Sequence, residues 1–575
     1  MKWDPTRPLI VQNDMSVLFE TNHPDYETVR QTLVKFADLV KSPEHLHTYR
    51  ITPLSLWNAA AGGMRFAEMT VFLQNYAKFG VPTAVLSSMR KYVKRYGLLR
   101  MENVGDELYL VSEDTVVLKE ICALDSLQSY LHDRRGDRAI AISPAHRGHL
   151  KQELTKLGYP VEDAAAYRQG EYVPISLCSD TDHADKPFQL RDYQKQAVDA
   201  FERIGDGRSI GSGVLVLPCG AGKTIIGIAA MARCSCATLI LTSNVTSVRQ
   251  WKREIIEKTD LTEDQVGEYS GAVKEVRPIT IATYQIMTHR GSKDDQFSHM
   301  QLFHEREWGL IIYDEVHLLP APVFRATADI QATKRLGLTA TLIREDGREE
   351  DVFSLVGPRR YEMAWKELEA KGWIATVACK EIRVPLSTAD RDQYAASGAR
   401  QQFRIAGENA GKLDVIDHLL KLHAKEQKLI IGQYLDQLER IAAHTGAPLI
   451  SGEMAHDDRE KLYQQFKAGR LPLLIVSKVA NFAVDLPDAA VAIQVSGSYG
   501  SRQEEAQRLG RILRPKRNGE NAAVFYTIIS EDTKEQDFAL KRQLFLVEQG
   551  YQYSISAWTE QIQEGERDEV RAYLS

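Results

Sequence analysis

The chain has 575 residues, of which 43% are hydrophobic and 26% are charged, with a formal net charge of −6. This is ordinary globular composition, which excludes a low-complexity chain and leaves any nucleic-acid contact to local basic clusters. No apolar run is long enough to span a membrane, no apolar leader follows Met1, and the six cysteines form no C-x-x-C pair. We therefore expect a cytoplasmic protein without a membrane segment, a zinc ribbon or an iron–sulfur site.

The N-terminal region, 1–112, is predicted to be α+β. A strand pair is indicated at Leu9–Gln12 and Ser16–Glu20, around a turn at Asn13 and Asp14. Helical patterns and then an alternating segment follow at 24–41, 53–61, 65–78, 82–96 and 106–112. Two helices followed by a hairpin resemble a winged helix. The basic residues of the second helix would then approach phosphates, whereas otherwise they form a solvated surface.

Residues 113–187 form a smaller predicted α/β segment that ends in a linker. Strand, helix and strand are indicated at 139–143, 147–157 and 172–175. The stretch 177–187 is polar and has no periodicity, so it is predicted to separate the N-terminal region from the rest. Its aspartates and His183 are better interpreted as solvated charge than as a metal site.

The remaining chain predicts two α/β domains, at 188–368 and 369–551, followed by a C-terminal tail at 552–575. Short apolar runs alternate with helical patterns, which is typical of parallel sheets covered by helices. The runs of the first domain are Val214–Leu217, Thr238–Leu241, Thr280–Ala282, Leu310–Tyr313 and Leu336–Leu338. Those of the second are Leu429–Ile431, Pro448–Ile450, Leu473–Val476, Val491–Val495 and Ala522–Tyr526.

A Gly-rich phosphate loop follows the first of these runs. Its residues, Leu-Pro-Cys-Gly-Ala-Gly-Lys-Thr, end at Thr224. Across Gly220, Ala221 and Gly222 the backbone can approach phosphates closely and point its N–H groups at them. Lys223 is placed to reach the β- and γ-phosphates of ATP, and the Thr224 hydroxyl is placed to ligate Mg²⁺.

Two carboxylates end another apolar strand, in the sequence Tyr-Asp-Glu-Val-His. Asp314 is the candidate that holds the metal, and Glu315 is the candidate that polarises the attacking water. His317 closes this box. Together with the phosphate loop, these residues predict the two halves of a nucleotide-hydrolysing site.

Further segments follow in order along the chain. Arg191 and Gln194 precede the phosphate loop, and the Gln194 amide suits an adenine edge because it both donates and accepts. Polar residues also follow the second, third and fifth runs of the first domain: Thr242, Thr283, Thr339 and Thr341.

A late helix is predicted to carry arginines for the nucleotide. Gln507, Arg511 and Arg514 share one helical face, because they are spaced i, i+4, i+7. Arginines supplied from a second domain stabilise charge on the γ-phosphate in the manner of an arginine finger.

The order of these segments resembles a superfamily 2 helicase of the DEAH/DEVH kind, and more closely the xeroderma pigmentosum group B-type DNA helicases in their bacterial form. The form of the phosphate loop and the Arg344-Glu345-Asp346 motif carry the narrower resemblance. The segments 42–52 and 541–551 are also similar to that family. The resemblance spans nearly the whole chain and is strongest over 188–551.

The resemblance implies an α/β fold with two tandem RecA-like parallel-sheet motor domains and an α+β N-terminal region. It implies an ATP- and Mg²⁺-dependent 3′→5′ DNA helicase of repair or transcription, with DNA as partner and, in some relatives, a nuclease. It further implies a damage-recognition-like region at 113–187 and a thumb-like insertion near 385–411. The residues expected to couple hydrolysis to DNA are Thr242, Thr283, His317, Thr339, Thr341, Arg344, Glu345 and Asp346.

One segment departs from the family pattern. At 479–487 the usual flexible glycine is missing and the bulky Phe482 stands in the stretch. Since this segment couples the γ-phosphate to the nucleic-acid groove in the family, the departure bears on coupling efficiency.

Other functions share parts of this pattern. A duplex translocase with little unwinding, an RNA helicase and a partner-gated ATPase subunit would all carry the same motor motifs. Intact Glu315, Arg511 and Arg514 argue against an inactive motor. A nuclease would need an acidic metal cluster outside the motor, which the sequence does not indicate.

Overall fold

The computed structural model describes residues 3–43, 45–105, 107–165, 167–178, 189–202, 204–205, 208–209, 211–218, 220–271, 273–290, 297–330, 333–342, 347–373, 376–477, 489–497, 522–548, 551 and 553–558. The chain divides into two compact units, Met1–Leu217 with Gly222–Glu362, and Pro218–Ala221 with Met363–Ser575. Within the described residues, no helix has the length and apolar character needed to cross a membrane.

The first unit begins with an antiparallel sheet in the order β1-β2-β4-β3. Its elements are β1 (Leu9–Val11), β2 (Ser16–Glu20), α1 (Tyr26–Leu33), β3 (Asp38–Lys41) and β4 (Leu46–Arg50). The predicted strand pair is confirmed, but the helix predicted at 24–41 is wrong in its second half. There the chain leaves the helix and pairs with β4, with Leu39 buried, so tertiary pairing overrides the helical pattern.

The next elements are α2 (Pro53–Ala61), α3 (Phe66–Tyr76), α4 (Thr83–Arg95), β5 (Leu99–Val104), β6 (Glu107–Val111), α5 (Thr115–Cys122), β7 (Leu131–Arg135), β8 (Ala139–Ile142), α6 (Arg147–Lys156) and β9 (Val161–Asp163). The hairpin β5–β6 follows the helices as expected. It is not an isolated wing, because it lies inside a five-stranded sheet with the order β7-β8-β6-β5-β9. This sheet joins strands from both sides of residue 112, where the sequence predicts a boundary.

The strand predicted at 172–175 is wrong. Only an isolated bridge between Tyr172 and Cys236 forms there. The strand that pairs is the preceding β9, whose three residues are too few to give a periodic signal.

The motor part of the first unit contains α7 (Asp192–Glu202), β10 (Ile204–Gly205), β11 (Arg208–Ser209), β12 (Ser212–Val216), α8 (Lys223–Cys234), β13 (Thr238–Thr242), α9 (Val245–Lys258), β14 (Val266–Tyr269), β15 (Ile279–Thr283), α10 (Tyr284–Met287), β16 (Leu310–Asp314), α11 (Ala321–Asp329), β17 (Lys334–Thr339), α12 (Glu349–Asp351) and β18 (Arg359–Glu362). Seven strands form one parallel sheet in the order β14-β15-β13-β16-β17-β12-β18. Its central strands are continuous apolar runs because helices bury both faces.

The second unit contains α13 (Trp365–Ala370), β19 (Thr376–Val384), α14 (Thr388–Ala396), α15 (Ala399–Gly407), α16 (Lys412–Leu422), β20 (Lys428–Gly432), α17 (Leu435–Thr445), β21 (Leu449–Ile450), α18 (His456–Lys467), β22 (Leu473–Ser477), β23 (Val491–Gln494), β24 (Ala522–Ser530), α19 (Lys534–Glu548) and β25 (Tyr553–Ala557). Its sheet is again parallel and seven-stranded, in the order β21-β22-β20-β23-β24-β19-β25. The two RecA-like sheets predicted from sequence are confirmed. The stretch predicted as a tail supplies β25, which pairs with β19.

The insertion near 385–411 is the helical hairpin α14–α15. Phe403 packs on Phe538 with ring centroids 4.7 Å apart, and Arg404 is ion-paired with Glu408 and Asp436. The Tyr394 hydroxyl accepts a hydrogen bond from the Lys534 backbone N–H at 2.8 Å. These three side chains of the insertion are therefore engaged within the unit.

The N-terminal region packs directly on the motor sheet through α6. Gly148 approaches α11 so closely that an added Cβ would lie 2.3 Å from the Ala328 carbonyl oxygen. Farther along α6, Gln152 donates to Asp351 at 2.8 Å. The first unit therefore includes both the N-terminal sheets and the motor sheet.

Buried charges support this packing. Asp163 accepts hydrogen bonds from the Arg147 guanidinium, at 2.5–3.1 Å, and from the Lys151 ammonium, at 2.9 Å. Two guanidinium groups lie over the Tyr167 ring, that of Arg147 at 5.2 Å from the ring centroid and that of Arg335 of β17 at 5.6 Å. The tyrosine thus links the N-terminal region to a strand of the motor sheet.

Candidate active site

The polar residues predicted to form the site lie at one edge of the motor sheet. Thr242, Thr283, Asp314 and Thr339 each end one of the parallel strands, and the phosphate loop follows β12. Because carboxyl ends of parallel strands meet at the same edge, ligands of such sheets bind there.

The phosphate loop leads into α8 through a left-handed residue. Gly222 has φ +77° and caps a helix that starts at Lys223. An added Cβ on Gly222 would lie 2.7 Å from the Gln194 amide nitrogen, so the loop requires glycine here. The helix directs its positive N-terminal end toward the loop, which favours phosphate binding.

Gln194 reaches the loop from the start of α7. Its side-chain oxygen accepts from the Arg191 backbone N–H at 2.9 Å, and the side chain is buried. The structure therefore brings the predicted nucleotide-edge glutamine against the phosphate loop, with Arg191 fixing the orientation of its amide.

Lys223 and Glu315 join the two motifs. The Lys223 ammonium lies 3.4 Å from a Glu315 carboxylate oxygen, and both side chains are largely buried. Glu315 has φ +51° and ψ +55°, a left-handed conformation that costs a non-glycine residue free energy and that clusters at functional sites. This backbone turn directs the carboxylate back toward the loop lysine.

The pKa values of the two neighbouring carboxyl groups, Asp314 and Glu315, are shifted in opposite directions. Burial, and then the Glu315 charge, raise the pKa of Asp314 to about 6. Burial alone would also raise the pKa of Glu315, but the Lys223 ammonium and His317 together lower it. Glu315 is therefore the better-stabilised anion of the pair.

This donor set fits a magnesium ion. Thr224 lies in the first turn of α8 and Asp314 ends β16, so a hydroxyl and a carboxylate would supply the hard oxygen ligands that Mg²⁺ prefers. A divalent cation beside Asp314 would offset the carboxylate repulsion that raises its pKa. No group of three His, Cys, Asp or Glu side chains suited to a metal occurs within the described ranges, so the proposed ion relies on the Thr224 hydroxyl and the single carboxylate of Asp314.

His317 connects the carboxylate to the end of β17. Its Nδ1 lies 2.6 Å from the Thr339 hydroxyl and 3.5 Å from a Glu315 carboxylate oxygen. The Thr339 hydroxyl also donates to the Thr341 carbonyl at 2.6 Å. Thr339 and Thr341, which the sequence predicts to couple hydrolysis to DNA, thus lie in one hydrogen-bonded chain with His317, and His317 in turn lies close to Glu315.

Two aromatic residues fix Asp314, and sequence reasoning missed both. The Trp251 indole N–H donates to the Asp314 carboxylate at 2.9 Å. The Tyr284 hydroxyl donates to the Asp314 backbone carbonyl, also at 2.9 Å. Neither residue is among those that the sequence predicts for the site.

Two predicted residues make local contacts. Thr242 exchanges hydrogen bonds with the Asn244 backbone, and Thr283 caps α10 by accepting from the Ile286 N–H at 3.2 Å. The remaining predicted residues lie outside the described ranges: Arg344, Glu345, Asp346, Gln507, Arg511, Arg514 and the atypical segment 479–487.

Three family models match the chain. Residues 368–573 match the ERCC3/RAD25/XPB C-terminal helicase, 187–344 match the type III restriction enzyme res subunit, and 9–135 match a helicase conserved C-terminal domain. The third match covers much of the N-terminal region and none of the motor.

Similar proteins cover almost the whole chain. The DNA 3′-5′ helicase XPB of Mycobacterium tuberculosis is 50% identical over 549 residues, which is 95% of this chain and 97% of the relative. The DNA 3′-5′ helicase XPB of Kineococcus radiotolerans is 50% identical over 551 residues, 95% and 96% of the two chains. The general transcription and DNA repair factor IIH helicase/translocase subunit XPB/SSL2 of Saccharomyces cerevisiae is 29% identical, over 96% of this chain and 72% of that one. With a nucleotide-type site between two motifs of one RecA-like sheet and this identity over its length, the chain belongs to the XPB family of DNA helicases.

Proposed function

We propose that this chain is an ATP-driven motor that moves 3′→5′ along DNA and separates its strands, in DNA repair or transcription. The observation that carries the proposal is the 3.4 Å contact of Lys223 with Glu315, which joins the phosphate loop to the second carboxylate. The bacterial relatives, named DNA 3′-5′ helicases, support the polarity and the polymer.

The residues of the site take complementary roles in hydrolysis. Lys223 holds the β- and γ-phosphates, while Thr224 and Asp314 hold Mg²⁺, which neutralises charge on the phosphoryl oxygens when bound. Glu315, the more stable anion, orients the attacking water and accepts its proton. Lys223 leaves Glu315 for the phosphates when ATP binds, so the ion pair belongs to the nucleotide-free arrangement.

The coupling step passes through His317. Its Nδ1 faces both Glu315, at 3.5 Å, and Thr339, at 2.6 Å, and one ring nitrogen cannot bond fully to both. A change of charge or position at Glu315 therefore changes the hydrogen bond to Thr339. Through the hydrogen bonds from His317 to Thr339 and on to Thr341, nucleotide binding then affects the segment after β17. Arg344, Glu345 and Asp346 follow there in the sequence.

Three parts of the proposal rest on the sequence and the family. Gln507, Arg511 and Arg514 are proposed to reach the γ-phosphate from the second motor domain. Single-stranded or forked duplex DNA is proposed as the substrate. A nuclease is proposed as a partner, and co-purification from cells with a tagged chain tests it.

ATP hydrolysis by the purified chain tests the site. Lys223→Ala and Glu315→Gln should each lower DNA-stimulated turnover by at least about 1,000-fold, roughly 4 kcal/mol, while DNA binding persists. Single-stranded DNA, duplex DNA and RNA should be compared as activators, with stimulation expected from DNA.

Matched variants control for general damage. Lys195→Ala on α7 and Glu263→Gln lie in the same motor domain, and both side chains are exposed. Both should turn over ATP as the wild type does. Unchanged hydrolysis in Lys223→Ala and Glu315→Gln would remove the assigned roles.

A further inference from the structure

Two thiols and an ammonium group meet at the end of the sheet opposite the phosphate loop. Cys234 is the last residue of α8, and Cys236 lies just before β13. The Lys334 ammonium, at the start of β17, contacts the Cys234 sulfur at 3.8 Å. Neither the ATP site nor the proposed coupling chain uses these groups.

The backbone between the two cysteines makes a left-handed bend. Ser235 has φ +45° and ψ +50°, a left-handed conformation that is uncommon for a non-glycine residue. This bend separates the two side chains by a single residue, and the neighbouring Cys236 side chain is the foremost cause that lowers the pKa of the Cys234 thiol. Lys334 acts in the same direction, against burial.

Neighbouring segments hold this bend in place. The Ser235 carbonyl accepts from the Val173 N–H at 3.1 Å, and the Ala237 N–H donates to the Glu171 carbonyl at 2.8 Å. On the other side, Gly309 leaves room for the thiol, since an added Cβ there would lie 2.6 Å from the Cys236 sulfur. The paired thiols are thus pre-positioned by the fold.

The thiols differ in access. Cys234 is half-buried and Cys236 is buried. The accessible thiol is the one beside the ammonium, and a thiolate is the reactive form of cysteine. The buried thiol lies two residues away, where it can resolve an oxidised Cys234.

We propose that Cys234 and Cys236 form a peroxide-reactive dithiol that closes to an intramolecular disulfide. The Cys234 thiolate attacks one oxygen of hydrogen peroxide, the O–O bond breaks, and a sulfenic acid and hydroxide form. The Cys236 sulfur then attacks the Cys234 sulfur, the S–O bond breaks, and the thiol proton leaves with that hydroxyl as water. Peroxide is the oxidant and a dithiol reductant reverses the step.

Peptide mass spectrometry of the full-length chain tests this proposal. Trypsin cuts after Arg233 and Arg249, so one peptide, 234–249, holds both cysteines and no other. After treatment with hydrogen peroxide and alkylation of the remaining thiols, this peptide should lack two hydrogens and carry no alkyl group. Cys122 and Cys178, also half-buried, serve as internal references and should react more slowly.

Variants separate the proposed roles. Cys236→Ser should leave a sulfenic acid on Cys234 that a dimedone probe traps. Lys334→Gln should slow disulfide formation several-fold, while Lys195→Gln, an exposed lysine of the same unit, should not. Peroxide that oxidises Cys122 as fast as Cys234, without closing a disulfide, would overturn the proposal, and so would an unchanged rate in Lys334→Gln.

Discussion

The Trp251 indole N–H donates to the Asp314 carboxylate across 2.9 Å, although 63 residues separate the two in sequence. The ring is buried against α8, where an added Cβ on Gly227 would lie 2.5 Å from it. Gly227 therefore lets the indole approach α8, and the indole fixes one oxygen of the carboxylate proposed to hold the metal. Two helices and a strand thus position a single side chain.

Removing this hydrogen bond should weaken catalysis. Trp251→Phe keeps an aromatic ring but removes the donor, and a bond to a charged group is worth about 2 kcal/mol. We expect maximal ATP turnover to fall roughly 10-fold or more and the Mg²⁺ concentration for half-maximal activity to rise. Steady-state hydrolysis over a Mg²⁺ series measures both.

Trp308→Phe is the matched control. Trp308 is also buried in this domain, but its indole donates to the Leu302 carbonyl, at 2.8 Å. This variant should lose some stability while its Mg²⁺ dependence stays normal. An unchanged Mg²⁺ dependence in Trp251→Phe would show that the indole does not position the carboxylate.

Coupling should depend on the hydroxyl of Thr339. Thr339→Val removes the partner of His317 Nδ1, 2.6 Å away, and keeps the shape of the side chain. We expect strand separation to fall at least about 10-fold more than ATP turnover, because the hydrolytic carboxylate stays in place. Parallel assays of unwinding and hydrolysis give the ratio of base pairs opened to ATP consumed.

Thr327→Val provides the comparison. Thr327 is buried in the same domain, and its hydroxyl bonds to Tyr313 and to the Val323 carbonyl, away from the site. The Thr327→Val variant should open as many base pairs per ATP consumed as the wild type does. Equal loss of both activities in Thr339→Val would mean that the hydroxyl serves hydrolysis itself.

The sequence predicts the hydrolytic site because its motifs are local. The phosphate loop and the Asp314-Glu315 pair each stand directly after a buried strand, and a parallel sheet brings such ends together. Trp251 and Tyr284 could not be assigned in this way. Which helix side chain reaches Asp314 depends on how α8 and α9 pack, and that packing is set by the close approach at Gly227.

The fold outside the motor core is less predictable for a similar reason. β9 and β3 are too short to leave a clear periodic signal. β9 is fixed by pairing with β5, which is distant in sequence, and β3 is an edge strand that pairs with the next strand, β4. β25 has only half-buried and exposed positions, and the sequence predicts a tail there. Long central strands buried on both faces, such as β13 and β16, gave apolar runs that predict them directly.

The buried charges beneath α6 should contribute strongly to stability. Asp163→Asn leaves Arg147 and Lys151 without their carboxylate in a buried site, at a cost of about 3–5 kcal/mol. We expect the first unit to unfold about 10 °C lower than in the wild type, as measured by calorimetry. Asp133→Asn, an exposed aspartate on β7, should have no such effect.

The ion pairs of Asp163 with Arg147 and Lys151 also predict that the stability of the first unit depends on pH. Burial alone would raise the pKa of Asp163, but Arg147 and Lys151 hold it well below its ordinary value. A carboxyl with a lowered folded pKa contributes stability above its unfolded pKa, and that contribution is lost as pH falls below about 4. The stability of Asp163→Asn should therefore fall less steeply in this acid range, and parallel curves would contradict the role of this carboxylate.

Strand displacement on tailed duplexes tests the proposed motor most directly. The purified chain, with ATP and Mg²⁺, should separate a DNA duplex that carries a 3′ single-stranded tail and leave a 5′-tailed duplex paired, and Lys223→Ala should separate neither. Separation of the 5′-tailed duplex alone, or of neither duplex despite DNA-stimulated ATP turnover, would contradict a 3′→5′ helicase.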